Sequence, residues 1–156
     1  MTPPARKAVL VGHIVSSVGW LGGVVASLVL AIEGMAGDDV RAALDHLGWV
    51  VLIPASVGSL TTGVVLGAGT RWGLIRYYWV FIKLVMNVAA TGVLLLYMGT
   101  LAGLTADDPA PVVHAGAAAA LLVVATALSV YKPRGLTPYG RRLKTSTLSM
   151  SSRSRT

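Results

Sequence analysis

The chain has 156 residues, 54% of them hydrophobic and 12% charged, where a soluble domain carries about 25% charged residues. With a mean hydropathy of +0.72, these values exclude an ordinary water-soluble domain. Thirteen Lys and Arg against six Asp and Glu give a net charge of +7, which in a soluble protein would point to nucleic acid; the placement of the charges points instead to a membrane surface. Cysteine is absent, which rules out disulfides, thiolate metal sites and thiol nucleophiles.

Four stretches free of Asp, Glu, Lys and Arg run from Ala8 to Ile32, His46 to Thr70, Leu84 to Ala106 and Pro109 to Tyr131. Each is long enough to cross a bilayer, which takes about 20 apolar residues. The third helix is placed to begin near Tyr77, with Lys83 inside its first two turns. Helices are therefore expected over about 8–32, 46–70, 77–103 and 110–131, forming an all-α, up-down-up-down four-helix transmembrane bundle. The segments are continuously apolar, which excludes the alternating strands of a membrane β-barrel.

The first helix follows Arg6 and Lys7 as a signal sequence would. Its apolar run exceeds the usual signal core of about 7 to 15 residues, so it reads as an uncleaved anchor. Gly19, Gly23, Ser27 and Ala31 recur on it at intervals of four, as do Ala55, Ser59, Gly63 and Gly67 on the second helix. Such small-residue stripes let backbones approach closely in lipid. They are read as the seam between helices one and two, with a second copy or another membrane protein as the alternative partner. Pro54 removes an amide donor opposite the Val50 carbonyl, so a kink is expected there.

Polar residues gather in the inner half. His13 and Ser17 share a face of helix one, and Lys83 and Asn87 share a face of helix three. At 1.5 Å per residue, His13 and Lys83 lie about 8 and 9 Å below the inner surface. Thr62 and Thr126 come from the same half, so all four helices are expected to add polar atoms to one layer. Near the outer surface, His46 and His114 begin helices two and four. If they faced each other across the bundle they could ligate a haem iron. The three histidines form no metal set, because His13 is a bilayer away. No helix carries an acid, and no phosphate loop, nucleophile elbow or zinc motif occurs. The chain therefore reads as non-enzymatic.

The residues from Lys132 to Thr156 are basic and rich in Ser and Thr, without an acid. They read as a disordered cytoplasmic tail whose charges attract anionic headgroups at about 1 kcal/mol each.

Two segments, Thr70-Arg71-Trp72-Gly73-Leu74-Ile75-Arg76-Tyr77-Tyr78-Trp79-Val80-Phe81-Ile82-Lys83 and Tyr131-Lys132-Pro133-Arg134-Gly135-Leu136-Thr137-Pro138-Tyr139-Gly140, resemble a family of bacterial integral membrane proteins of unknown function, with four helices and about this length. The resemblance runs from helix one to Tyr139 and implies a bacterial inner-membrane location. More distantly, His13 followed by Trp20, Gly22 and Gly23 is similar to the first-helix pattern of copper-resistance D type membrane proteins. The expected role is that of an accessory or interaction protein in the membrane. The alternatives are a redox module binding haem or quinone, and a small transporter.

Every acid lies after helix one or after helix three, whereas the bases, Arg41 excepted, lie in or next to the other segments. The positive-inside bias then puts both termini in the cytoplasm and Glu33 to Asp45 and Ala106 to Pro109 outside. With no native thiol to interfere, a Ser152→Cys variant should resist an impermeant maleimide in intact cells and react after permeabilisation. Reaction in intact cells would reverse the orientation.

Overall fold

A computed structural model of the chain describes residues 1–36, 39–69, 73–103, 108–131 and 135–142. Asp38, Arg71, Trp72, Asp107, residues 132–134 and the tail from 143 onward lie outside the described residues. Among the described residues the fold is helical, and four helices are long and apolar enough to cross a membrane.

Helix α1 runs from Pro3 to Met35, starting five residues before the charge-free run. The two prolines explain the early start. Pro3 and Pro4 occupy the first helical positions, where a missing N–H costs nothing and the fixed φ suits the helix. At 33 residues it is about 50 Å long, so it outreaches the hydrocarbon core and carries Arg6 and Lys7 beyond it.

Helix α2 spans Arg41–Gly69 and is also longer than expected. It consists of an α segment, Arg41–Leu47, a π turn, Gly48–Leu52, and a second α segment, Ile53–Gly69. The π turn lies just before Pro54. Proline cannot donate to the Val50 carbonyl and its ring crowds that oxygen, and a π turn widens the helix at that point. Gly48 opens the turn against Met98, whose sulfur occupies the space that a side chain at position 48 would need.

Helices α3, Tyr78–Thr100, and α4, Ala110–Tyr131, follow the expected spans closely. A 3₁₀ turn, Leu101–Gly103, continues α3. Asp108 precedes α4 and its Oδ1 accepts the Ala110 N–H at 2.8 Å, satisfying one of the free donors of the first turn.

Helix α1 packs chiefly against α2 and then α4, and α3 packs against α2 and α4. Gly23 permits the first of these approaches: a Cβ there would stand 2.8 Å from Leu52 Cδ2. Ser27 and Ala31 continue the buried stripe. Gly19 does not belong to it, since it is exposed with no neighbour within 4 Å of where a Cβ would be. On α2, Ala55 packs against the Trp20, Val24 and Leu52 cluster, Ser59 and Gly63 meet α1, and Gly67 meets Leu74 of the following connection. A second cluster joins Leu44, Met98 and Leu101. The outward faces remain apolar, with Val15, Val18, Leu96 and Val130 among the most exposed, as suits side chains solvated by lipid.

The expectation of a disordered tail does not hold for residues 135–142. Leu136 pairs with Tyr77 in an isolated antiparallel bridge, and Thr137 N donates to Arg76 O at 3.1 Å. The Thr137 hydroxyl donates to Ile75 O at 2.6 Å and accepts the Gly140 N–H at 3.2 Å. Residues 138–142 are helical, and Thr137 followed by Pro138 forms their N-cap. Gly140 lies so close to the Arg76 carbonyl that a Cβ would collide with it. This clasp ties the end of the bundle to the connection between α2 and α3. Replacing Thr137 with Val should cost about 1 to 2 kcal/mol locally. Trypsin should then cut after Arg141 roughly 5 to 30 times faster. An unchanged rate would show that the clasp adds no stability.

Candidate functional site

The polar residues in the half of the bundle nearer the termini join the helices in two pairs, α1 with α2 and α3 with α4, rather than in one ring. His13 Nδ1 lies 3.1 Å from Ser59 O and 3.0 Å from Thr62 Oγ1. A carbonyl only accepts, so Nδ1 carries the proton and shares it between the two oxygens. Thr62 in turn donates to Gly58 O at 2.6 Å. One turn deeper, the hydroxyls of Ser17 and Ser59 meet at 2.9 Å. Gly63 leaves room for the imidazole, since a Cβ there would lie 3.3 Å from His13 Cε1. The α1–α2 seam is thus small, close and internally hydrogen-bonded, as a polar contact in lipid must be.

Across the bundle, Lys83 Nζ donates to Ser129 Oγ at 2.5 Å, and Ser129 donates to Ala125 O at 2.9 Å. Ser129 was not singled out from the sequence; its position in the last two turns of α4 matches the depth of Lys83. Thr126, expected in this layer, is exposed and bonds back to Leu122 O at 2.8 Å. It lies three residues, about 300°, from Ser129 on the helix, and the extra 60° carries it off the contact face. Asn87 Oδ1 and Thr91 Oγ1 are buried without a hydrogen-bond partner among the described residues.

The half of the bundle away from the chain termini holds a cavity of about 250 Å³ between the helices. Trp20 of α1, only 2% exposed, forms one wall, Leu94 and Met98 of α3 another, and Ala115 and Ala118 of α4 a third. The cavity exists because α4 offers alanine where the opposing helices offer large side chains. The run Ala115-Gly116-Ala117-Ala118-Ala119-Ala120 was the sequence signal for it, masked because alanine also serves ordinary close packing. Tyr97 and His114 also line it, and their rings stack with centroids 4.6 Å apart and planes at 24°. His114 Nδ1 lies 2.8 Å from Ala110 O, while the Tyr97 hydroxyl is buried with no partner among the described residues.

His46 and His114 do not meet. His46 lines an open groove with Ala26, Val29 and Leu47 between α1 and α2, and His114 lines the cavity. Helix α2 begins at Arg41 and buries Leu44; a residue two positions on points about 200° away, which turns His46 outward. Both imidazoles are exposed. The paired-histidine haem site is therefore not formed. Among the described residues no cluster of three His, Cys, Asp or Glu could hold a metal. Comparison with protein-family models, curated proteins and solved structures gives no match.

The α1–α2 hydrogen bonds can be weighed by a double-mutant cycle. His13→Leu and Thr62→Val, singly and together, should show a coupling of about 0.6 kcal/mol in mixed-micelle unfolding, the usual size of an interhelical bond in membrane proteins. Additive effects would mean that the seam is held by packing alone.

Proposed function

We propose that the chain is a non-catalytic accessory protein of the bacterial inner membrane that binds a lipid-soluble small molecule between its helices. The observation that carries this reading is the outer cavity. It is walled almost wholly by apolar side chains, with Ser27, Tyr97 and His114 the few polar residues of its lining. Apolar enclosure with a few polar groups to fix orientation is the usual form of a small-molecule site. Size agrees, because a cavity of about 150 Å³ already takes benzene.

Binding rather than conversion is supported by the lining. Among the described residues it contributes one imidazole, one phenol and the Ser27 hydroxyl, which is engaged by Gly23 O at 3.0 Å, but no carboxylate, lysine or thiol. The alternative of a quinone module shares this cavity. Inward-facing Lys83 and Asn87 are the features that favour the small-transporter alternative, since polar groups at depth often mark a path. The basic residues of the tail suit anionic headgroups at the cytoplasmic face. With both termini cytoplasmic, the four spans alternate in direction and the cavity lies in the outer leaflet.

A chain reduced to one tryptophan by Trp49→Phe, Trp72→Phe and Trp79→Phe allows Trp20 to report on the cavity. Para-bromotoluene should quench its fluorescence saturably. Ala118→Phe, which fills the space, should abolish the saturable part. Quenching that rises linearly with probe and is unaffected by Ala118→Phe would reduce the cavity to a packing defect.

A further inference from the structure

We infer that the cavity opens sideways to the bilayer between α3 and α4 and takes up one acyl chain of a phospholipid from the leaflet away from the termini; this rests on the proposed ligand cavity. The exposure of the lining places the mouth. The lining residues contributed by α1 and α2 are all buried, whereas Ala89 and Val93 of α3 and Ala117 of α4 line the cavity and are also exposed. Among the described residues, α3 and α4 share the least contact of the four neighbouring pairs of helices. Two contacts pin this seam and set its width. At one end the Tyr97 and His114 rings stack, and at the other Lys83 Nζ donates to Ser129 Oγ at 2.5 Å. Between them the facing residues include Ala89, Ala90, Ala117 and Ala118, whose side chains are too short to fill the gap that the larger end groups hold open.

What lies outside the mouth decides the occupant. Ala89, Val93 and Ala117 belong to spans long and apolar enough to cross a membrane, so the medium at the slit is lipid chain rather than water. From Ala89 to Tyr97 the slit runs about 12 Å along the helix, most of the roughly 15 Å of hydrocarbon in one leaflet. It runs parallel to the helices, as the chains of the bilayer do. Trp20 stands midway along the charge-free run from Ala8 to Ile32, hence near the bilayer centre, while His114 lies toward the surface away from the termini. A chain of that leaflet therefore enters sideways without turning, its methyl end beside Trp20 and its headgroup outside the bundle. The lining suits hydrocarbon. Its Ser27 hydroxyl is already engaged by Gly23 O, and a polar or charged group brought among the apolar walls would lose its hydration. An acyl chain has none to lose, and it gives the facing walls atoms to touch where a void gives none.

The single-tryptophan chain tests this in vesicles of phosphatidylcholine brominated near the methyl end of one acyl chain. Bromine quenches at short range, and Trp20 is only 2% exposed, so Ala118→Phe, with the cavity filled, gives the level set by lipid outside the bundle. Above that level the brominated lipid should remove most of the remaining Trp20 emission. Ala117→Phe and Ala89→Phe, on opposite sides of the mouth, should each restore the greater part of it. Ala26→Phe, in the open groove between α1 and α2, should leave the quenching unchanged. Quenching no greater than in Ala118→Phe would overturn the inference, as would quenching that survives both mouth variants or is lost in Ala26→Phe. Para-bromotoluene separates the two readings. If it quenches saturably and the brominated lipid does not, the cavity stands and the acyl chain is wrong; if neither quenches, both fail together.

Discussion

A bilayer offers its proteins no water, so each polar group taken into it must find a partner on another part of the chain or on something bound. Most features of this molecule follow from that condition. The His13, Thr62, Ser17 and Ser59 group meets it within the α1–α2 seam, where glycine and serine bring the backbones close enough for short side chains to reach. Serines within the helices meet it by bonding to their own backbone, as Ser27 does to Gly23 O and Ser56 to Ile53 O. Lys83 meets it through Ser129. Among the described residues the condition is left unmet at Asn87, Thr91 and Tyr97, and Tyr97 belongs to the lining of the cavity.

The bundle is uneven for the same reason. Helix α1 is the best-buried span and contributes Trp20 and Val24 to the central cluster, whereas α3 and α4 lie mostly against lipid. Close approach of α1 and α2 leaves less side-chain volume between them, and the space reappears on the other side, between the bulky residues of α3 and the alanines of α4. The π turn contributes to this arrangement. It absorbs Pro54 and sets Gly48 against Met98, so the sulfur that lines the cavity is held by the same irregularity that accommodates the proline.

How far the sequence reveals this depends on the kind of information each feature needs. The four spans are legible because exclusion of charge over about 20 residues is a one-dimensional property. Helix ends are less so: α1 and α2 each extend five residues into polar sequence, through Pro3–Pro4 and Arg41, because helix propensity continues past the edge of the hydrocarbon. The contacts of His13 with Thr62 and of Ser17 with α2 follow from depth and spacing, but the partners of Lys83 and the outward turn of Thr126 depend on rotation of α4, which a uniformly apolar helix does not record. The same gap explains His46 and His114. Their depths suggest a pair, and only the burial of Leu44 reveals that they line different spaces. The clasp at Thr137 was hidden by composition, since a basic, serine-rich tail conceals one well-formed cap at its start.

The central claim is that the outer cavity holds a molecule in the living membrane. Native mass spectrometry of the protein released directly from that membrane, set beside the Ala118→Phe chain, addresses it without choosing a probe. The account predicts a bound species of discrete mass on the unaltered chain, lost on mild activation as a neutral molecule and absent from Ala118→Phe. A bare chain in both samples, or the same adduct on both, would contradict it.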